Sequence, residues 1–391
     1  MAGTLTVDTI QSDSSYASTL NVTSKINFSG GMQIGGQDTT FGGMRNRVIN
    51  GNMLVWQRAT SITGSTNYNT VDRWDINGAS GSTLNVAQST DVPAGFTYST
   101  AITVGTASSA SGAYAYMLQQ IEGYNVADLD FGLSTAKPAT LSFWVKSSVT
   151  GTYGMSFRNT GTARFLTSTY TINSANTWEQ KTITIVGDTT GTWLKTNGSG
   201  LTLIWDLGVG STYSSTSNNA WSTVGSNYFG VTGTTKLAST AGATFYITGV
   251  QLEKGSTATQ FEFRSFATEL ALCMRYFERS YDYGQYTYSG EIMKGIASFG
   301  SPHISTGAST NIMDAFMKLF LVPKRTQPTI TGYSLTDGVA GKWRRYYTGV
   351  SPADDQNVTF NNISTTGAEV TIAAGGNCNI VLGHWVASAE L

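Results

Sequence analysis

Short stretches in which apolar side chains alternate with small polar ones recur along most of this chain, and they restrict it to sheet-built folds. Residues 140–146 read TLSFWVK, 182–186 TITIV, 201–207 LTLIWDL and 243–250 ATFYITGV. A period of two sends successive side chains to opposite faces of a pleated strand. Spacers rich in turn residues, such as GDTTGTW and TNGSG, separate these stretches. Many short strands with a turn signal roughly every ten residues indicate a sandwich or jelly roll. Charge agrees: 12% of residues are Asp, Glu, Lys or Arg, against roughly 25% in ordinary soluble domains. Gly, Ser, Thr, Asn, Tyr and Trp fill the space, which favours extended backbone with polar, uncharged faces. The expected fold class is all-β. No fixed-period repeat is evident, which argues against a solenoid.

Three segments differ in character. In residues 1–43, Leu5, Val7, Ile10, Leu20, Val22, Ile26 and Phe28 are spaced among polar residues. Two or three such strands cannot bury a core alone, and they gain stability by pairing with copies of themselves or with another protein. Residues 44–264 carry the strand signals above, and Trp56, Trp74 and Trp144 read as core residues of that sandwich. Residues 265–391 open with a connector helix. Ser265 is its expected cap, Glu269 sits near its positive end, and Phe266, Leu270, Cys273 and Phe277 make one apolar stripe. On a lone helix between two sandwiches that stripe would be exposed, and threefold packing of helices would bury it. The alternating segments after the helix predict a second, smaller β-sandwich.

Several functions are disfavoured by what the chain lacks. Net charge is −1, and the only basic cluster is Lys342-Arg344-Arg345, so nucleic acid is not an expected partner. No apolar run approaches the ~20 residues of a membrane span, and MAGTLTVDTIQ lacks the basic and apolar regions of a secretory signal. Cys273 and Cys378 fall in different segments, which excludes a disulfide framework, and His303 and His384 supply no zinc spacing. Cys273 reads as a small core residue.

A glycan-cleaving site needs two carboxylates about 5–9.5 Å apart. Asp128 with Asp130, Asp72 with Asp75, and Asp354 with Asp355 are the available pairs, each in a context that reads as structural. With two histidines and no Gly-x-Ser-x-Gly elbow, the chain reads as no enzyme and implies no cofactor. Sugars are held by flat aromatic faces with amide and hydroxyl neighbours. The densest aromatic groups are Tyr281, Tyr283, Tyr286 and Tyr288, and Trp343 with Tyr346 and Tyr347. They are the glycan-binding candidates, with core or subunit packing as the alternative explanation.

NGNMLVWQR near the start of the sandwich and GVQLEKGSTATQFEFR before ELALCMRYF at its end resemble the tail-fibre and receptor-binding proteins of tailed phages, particularly marine and cyanobacterial ones. The closing GHWVASAEL is similar to the tip of the same proteins. The resemblance implies a jelly roll of the kind shared with carbohydrate-binding modules over 44–264, an N-terminal virion-attachment segment over 1–43, and a glycan-recognising tip over 265–391. It implies a homotrimer, made in the host cytoplasm and carried on the exterior of the virion, with other virion proteins and a host surface polysaccharide as partners. It also implies that Trp74 of the D-R-W motif packs while Asp72 and Arg73 pair locally. Jelly-roll modules often hold calcium. Here Leu54, Thr248 and Gly249 stand where the acids commonly lie, so no metal is expected. A head-decorating or adaptor fibre that binds no receptor is the first alternative, and a glycan depolymerase the second.

Overall fold

The computed structural model describes residues 44–159, 164–216, 219–223, 229–284, 313–347, 354–373 and 378–391, together with the short strands Gln33–Ile34, Gln37–Asp38 and Ala297–Gly300. Residues Met1–Gly43 and Met44–Leu391 are separate units. In the first, Gln33–Ile34 pairs antiparallel with Gln37–Asp38. The attachment candidates Leu5, Val7, Ile10, Leu20, Val22, Ile26 and Phe28 lie outside the described residues.

The second unit begins with two antiparallel sheets. One has five strands, in the order Phe165–Ile172, Gly151–Arg158, Ser199–Asp206, Tyr114–Glu122, Asp75–Ala79. The other has six, in the order Glu179–Ile185, Ala139–Ser147, Thr244–Lys254, Ser99–Val104, Leu84–Ser89, Ser61–Ile62. The inner faces of both contribute to one core, as the alternation requires. Trp74, Trp205 and Phe143 meet edge to face at its centre, with centroids 5.6 and 5.5 Å apart. Edge-to-face contact sets the positive ring edge against the negative face of its neighbour. Trp56 and Trp74 are fully buried, as expected.

The helix Phe266–Met274 follows. Ser265 caps it, its Oγ accepting from Thr268 N at 3.2 Å. The Glu269 carboxylate is buried and accepts from Asn50 N. The expected stripe is not left on an exposed connector. Cys273 packs with Ile49, Val55 and Tyr276, and Leu270 and Leu391 join them. Phe277 lies beyond the helix, on the strand Phe277–Arg279. Only Phe266 of the four is exposed. The jelly roll's own opening segment therefore covers most of this surface within one chain, so the stripe gives no reason for threefold packing.

The strands after the helix form a curled, eight-stranded sheet built around the long strand Cys378–Ser388. It pairs with Phe277–Arg279, Ala297–Gly300, Thr329–Tyr333 and Lys342–Tyr347. Asp354–Asn361, Gly367–Ala373 and Met313–Leu319 continue the sheet. Trp343, Trp385, Val370 and Ile372 make its small core.

Charged side chains fasten this sheet to the jelly roll. Arg73, almost fully buried, pairs with Glu390 and lies 3.5 Å from the centroid of the Tyr276 ring. Arg58 bridges Asp72 and Glu390, both at 2.8 Å. Arg275 reaches Glu122 through two hydrogen bonds of 2.9 and 2.6 Å. The D-R-W charges were expected to pair locally. Instead Arg73 finds a carboxylate 317 residues away, because only a paired charge is tolerated at that depth.

Candidate functional site

Of the residues assigned to glycan binding from the sequence, those whose side chains are described do not form a platform. Trp343 is fully buried, and its Nε1 donates to His384 O at 2.8 Å. Tyr281 is buried and stacks on the His384 ring at 3.6 Å. Trp343, on the strand Lys342–Tyr347, belongs to the small core of the C-terminal sheet, and Tyr281, just beyond the strand Phe277–Arg279, is buried against it. Tyr283 is partly exposed, but it braces the joint. Its hydroxyl accepts from Trp56 N and donates to Leu54 O, at 3.1 and 3.0 Å. Tyr286 and Tyr288 lie outside the described residues. Tyr346 and Tyr347 lie on the strand Lys342–Tyr347.

A half-buried aromatic strip lies instead on the outward face of the six-stranded jelly-roll sheet, beside outward residues that are covered, Thr140, Ser142, Lys146, Thr248, Gln251 and Glu253. On Ala139–Ser147, Leu141, Phe143 and Val145 point into the core, so Trp144 and Lys146 point out. On Thr244–Lys254, Phe245 and Ile247 point in, so Tyr246 and Thr248 point out. Register sets Tyr246 opposite Lys146, Thr248 opposite Trp144, and Gln180 of the edge strand opposite Trp144 on its other side. Trp178, just before that edge strand, meets Tyr246 edge to face at 6.3 Å. Trp144, Trp178 and Tyr246 are half-buried, while Gln180, Thr182 and Thr184 are exposed.

These rings are held in place. The Lys146 ammonium lies 4.3 Å from the Tyr246 centroid and 5.5 Å from that of Trp178, and it forms an ion pair with Asp91. Trp178 Nε1 donates to Asp91 Oδ1 at 3.0 Å. The hydrogen bond from Lys146, and after it the one from Trp178, holds the Asp91 carboxyl below the usual carboxylate range. Each cation–π contact contributes about 0.5–2 kcal/mol, depending on exposure. At the other end of the strip a β-bulge between Thr248 and Gln251 brings Gly249 under Trp144 and Phe96. Phe96, Phe261 and Phe263 pack there at 4.9–5.3 Å, with Phe263 exposed.

Trp144 was expected in the core. Its partner in alternation, Phe143, takes that place, and Trp144 belongs to the surface. The signal was present in TLSFWVK, where only one of two adjacent aromatics can face inward.

On the outward face of the five-stranded sheet a later segment packs over the rings. Val231 N donates to the buried Asp206 carboxylate at 2.9 Å. Tyr213 and Phe229 pack on Tyr114 at 5.3 and 4.7 Å. Rings there serve as a satellite core.

Of the acids considered for catalysis, those whose side chains are described have structural partners, and the side chain of Asp354 lies outside the described ones. Asp128 pairs with Arg47 at 2.8 Å, and Asp130 closes a turn at φ 58°. Asp72 belongs to the joint, Asp75 accepts from the Tyr116 hydroxyl at 3.2 Å, and Asp355 pairs with Arg344 at 3.2 Å. Among the described residues no three His, Cys, Asp or Glu side chains gather as a metal would need, and none of the helices is long and apolar enough to cross a membrane.

No protein-family model matches the chain, and no curated protein matches it. Among solved structures it is similar to the enzymatically active domain of tailspike protein 4 of bacteriophage CBA120. That match has 15% identity and a TM-score of 0.29, and covers 54% of this chain and 21% of that one. It is also similar to the tandem CBM22 modules of Paenibacillus barcinonensis Xyn10C, at 11% identity and a TM-score of 0.27, covering 86% and 92% of the two chains. A third likeness is to the family 11 carbohydrate-binding module of Clostridium thermocellum, in complex with a mixed-linked tetrasaccharide. It has 9% identity and a TM-score of 0.27, and covers 52% of this chain and 99% of the module.

Proposed function

We propose that this chain is a fibre protein of a tailed-phage virion that binds a host surface glycan without cleaving it, through the outward face of its six-stranded jelly-roll sheet. The observation that carries the glycan reading is the strip of Trp144, Tyr246 and Trp178, held by Lys146 and Asp91 and edged by exposed Gln180 and Thr182. Flat rings fixed in orientation stack on the C–H faces of sugars at little entropic cost, and neighbouring amides and hydroxyls read the hydroxyl pattern. The fibre reading rests on the sequence resemblance over residues 44–280 and at GHWVASAEL. Virion attachment through residues 1–43 and the homotrimer belong to the same reading. That the described acids are engaged in structural contacts supports a binding rather than a hydrolytic role.

The test uses the whole chain, because the helix and C-terminal sheet share a core and buried ion pairs with the jelly roll. Saturable binding to host cells that blocks phage adsorption is the expected result. Trp178→Ala with Tyr246→Ala should weaken that binding about tenfold or more, a loss of roughly 1.4 kcal/mol, with the melting curve little changed. Absence of binding by a folded chain would favour an adaptor or decoration fibre. Release of reducing sugar from host polysaccharide would overturn the non-enzymatic part.

A further inference from the structure

Among the described residues, the charged groups beside the aromatic strip are paired. Among the described residues, the outward side chains of the six-stranded sheet include one cation near the rings, Lys146, and it is engaged by Asp91. The carboxylate of Glu253, on the same face, accepts from Thr259 N, Thr259 Oγ1 and Gln251 Nε2 at 2.8, 2.7 and 2.9 Å. At the edge strand Lys181 is paired with Glu179 at 2.5 Å. An anionic sugar bearing carboxylate or sulfate would meet no unpaired cation here and would approach the half-exposed carboxylate of Asp91. A charge moved out of water without a partner is strongly disfavoured. Hydroxyl groups carry no such cost, and they find Gln180 and Thr182 exposed beside the rings.

The strip also has length. Tyr246 is opposite Lys146 and Thr248 opposite Trp144, so Trp144 and Tyr246 are diagonal neighbours, about 7–8 Å apart at the backbone. Trp178 extends the strip beyond Tyr246. Together the rings reach further than a single pyranose.

We infer that the ligand of this face is an uncharged oligosaccharide, and that the Lys146–Asp91 pair is what excludes acidic glycans. The inference rests on the reading of this face as a glycan-binding surface. The experiment is a glycan array probed with the intact chain, in which neutral oligosaccharides sit beside carboxylated and sulfated versions of the same backbones. Binding confined to the neutral members is expected, with affinity nearly constant between about 0.05 and 0.5 M salt, a range over which charge interactions are screened severalfold. Acidic members binding as tightly or tighter, with affinity falling as salt rises, would overturn the inference while leaving glycan binding in place. No binding to any member would overturn the underlying reading and the inference with it. Asp91→Asn leaves an acceptor for Trp178 but frees the Lys146 charge. It should create salt-sensitive binding of acidic members about tenfold above that of the parent chain. A folded Asp91→Asn protein that gains none would show that the ion pair is not the selector.

Discussion

Gly249 has φ +62°, and a Cβ there would come within 2.6 Å of the Phe96 ring and 3.1 Å of Trp144. Glycine is needed both for the bulge and for the close approach of those rings. Gly249→Ala should cost about 1–3 kcal/mol in chemical denaturation and shift the Trp144 contribution to fluorescence, because the ring must move. Asp75 offers a pH test. Burial, the largest cause, pushes its carboxyl up from 3.8 to about 6. A raised folded-state value means that the folded chain holds the proton more tightly than the unfolded one. That stabilisation is complete below about 3.8 and is lost as pH rises through about 6. Between pH 7 and 5 the parent chain should gain about 1 kcal/mol relative to Asp75→Asn, read as the difference between their melting curves. Equal pH slopes would contradict the assignment.

Among the elements, the connector helix shows how far a local pattern reaches. Its start was legible: Ser265 and the acid four residues on are a common entry signal, and the hydroxyl does accept from Thr268 N. Ser265→Ala should cost about 1 kcal/mol in urea titrations, with an unchanged slope. Its end was not legible. Phe277 continues the helical spacing, yet the backbone leaves the helix after Met274 because Phe277–Arg279 takes its hydrogen bonds from the strand Cys378–Ser388. A ladder with a segment a hundred residues onward has no local signature. The strands behaved in the same two ways. Alternation marks TLSFWVK as a strand, but the sequence reading put Trp144 in the core where Leu141, Phe143 and Val145 stand, and alternation leaves open how far the outward face is covered.

At the scale of the whole unit, Glu390 has the largest consequence. Its carboxylate answers Arg73, which is 1% exposed, and Arg58. Removing one partner of a buried pair leaves an uncompensated charge, a loss of about 3–5 kcal/mol. Glu390→Ala should therefore lower the urea midpoint of residues 44–391 markedly. It should also separate unfolding of the C-terminal sheet from that of the jelly roll, visible as two transitions by tryptophan fluorescence and far-UV circular dichroism. A midpoint unchanged within error would mean that Arg73 is accommodated by the Tyr276 ring and the Gln120 carbonyl alone.

By itself the sequence determined the all-β class, several strands of the jelly roll and the helix cap, since each follows from periodicity or from groups a few residues apart. The tertiary structure decided which aromatic residues meet solvent. Tyr281 and Trp343 turned inward against His384, and Trp144, Tyr246 and Trp178 were gathered from three places in the chain onto one face. It also decided that Arg73 would be answered from the far end of the chain. Exposure and charge pairing are set by neighbours in space, and strand order across a sheet brings distant residues together without leaving a mark in either local segment.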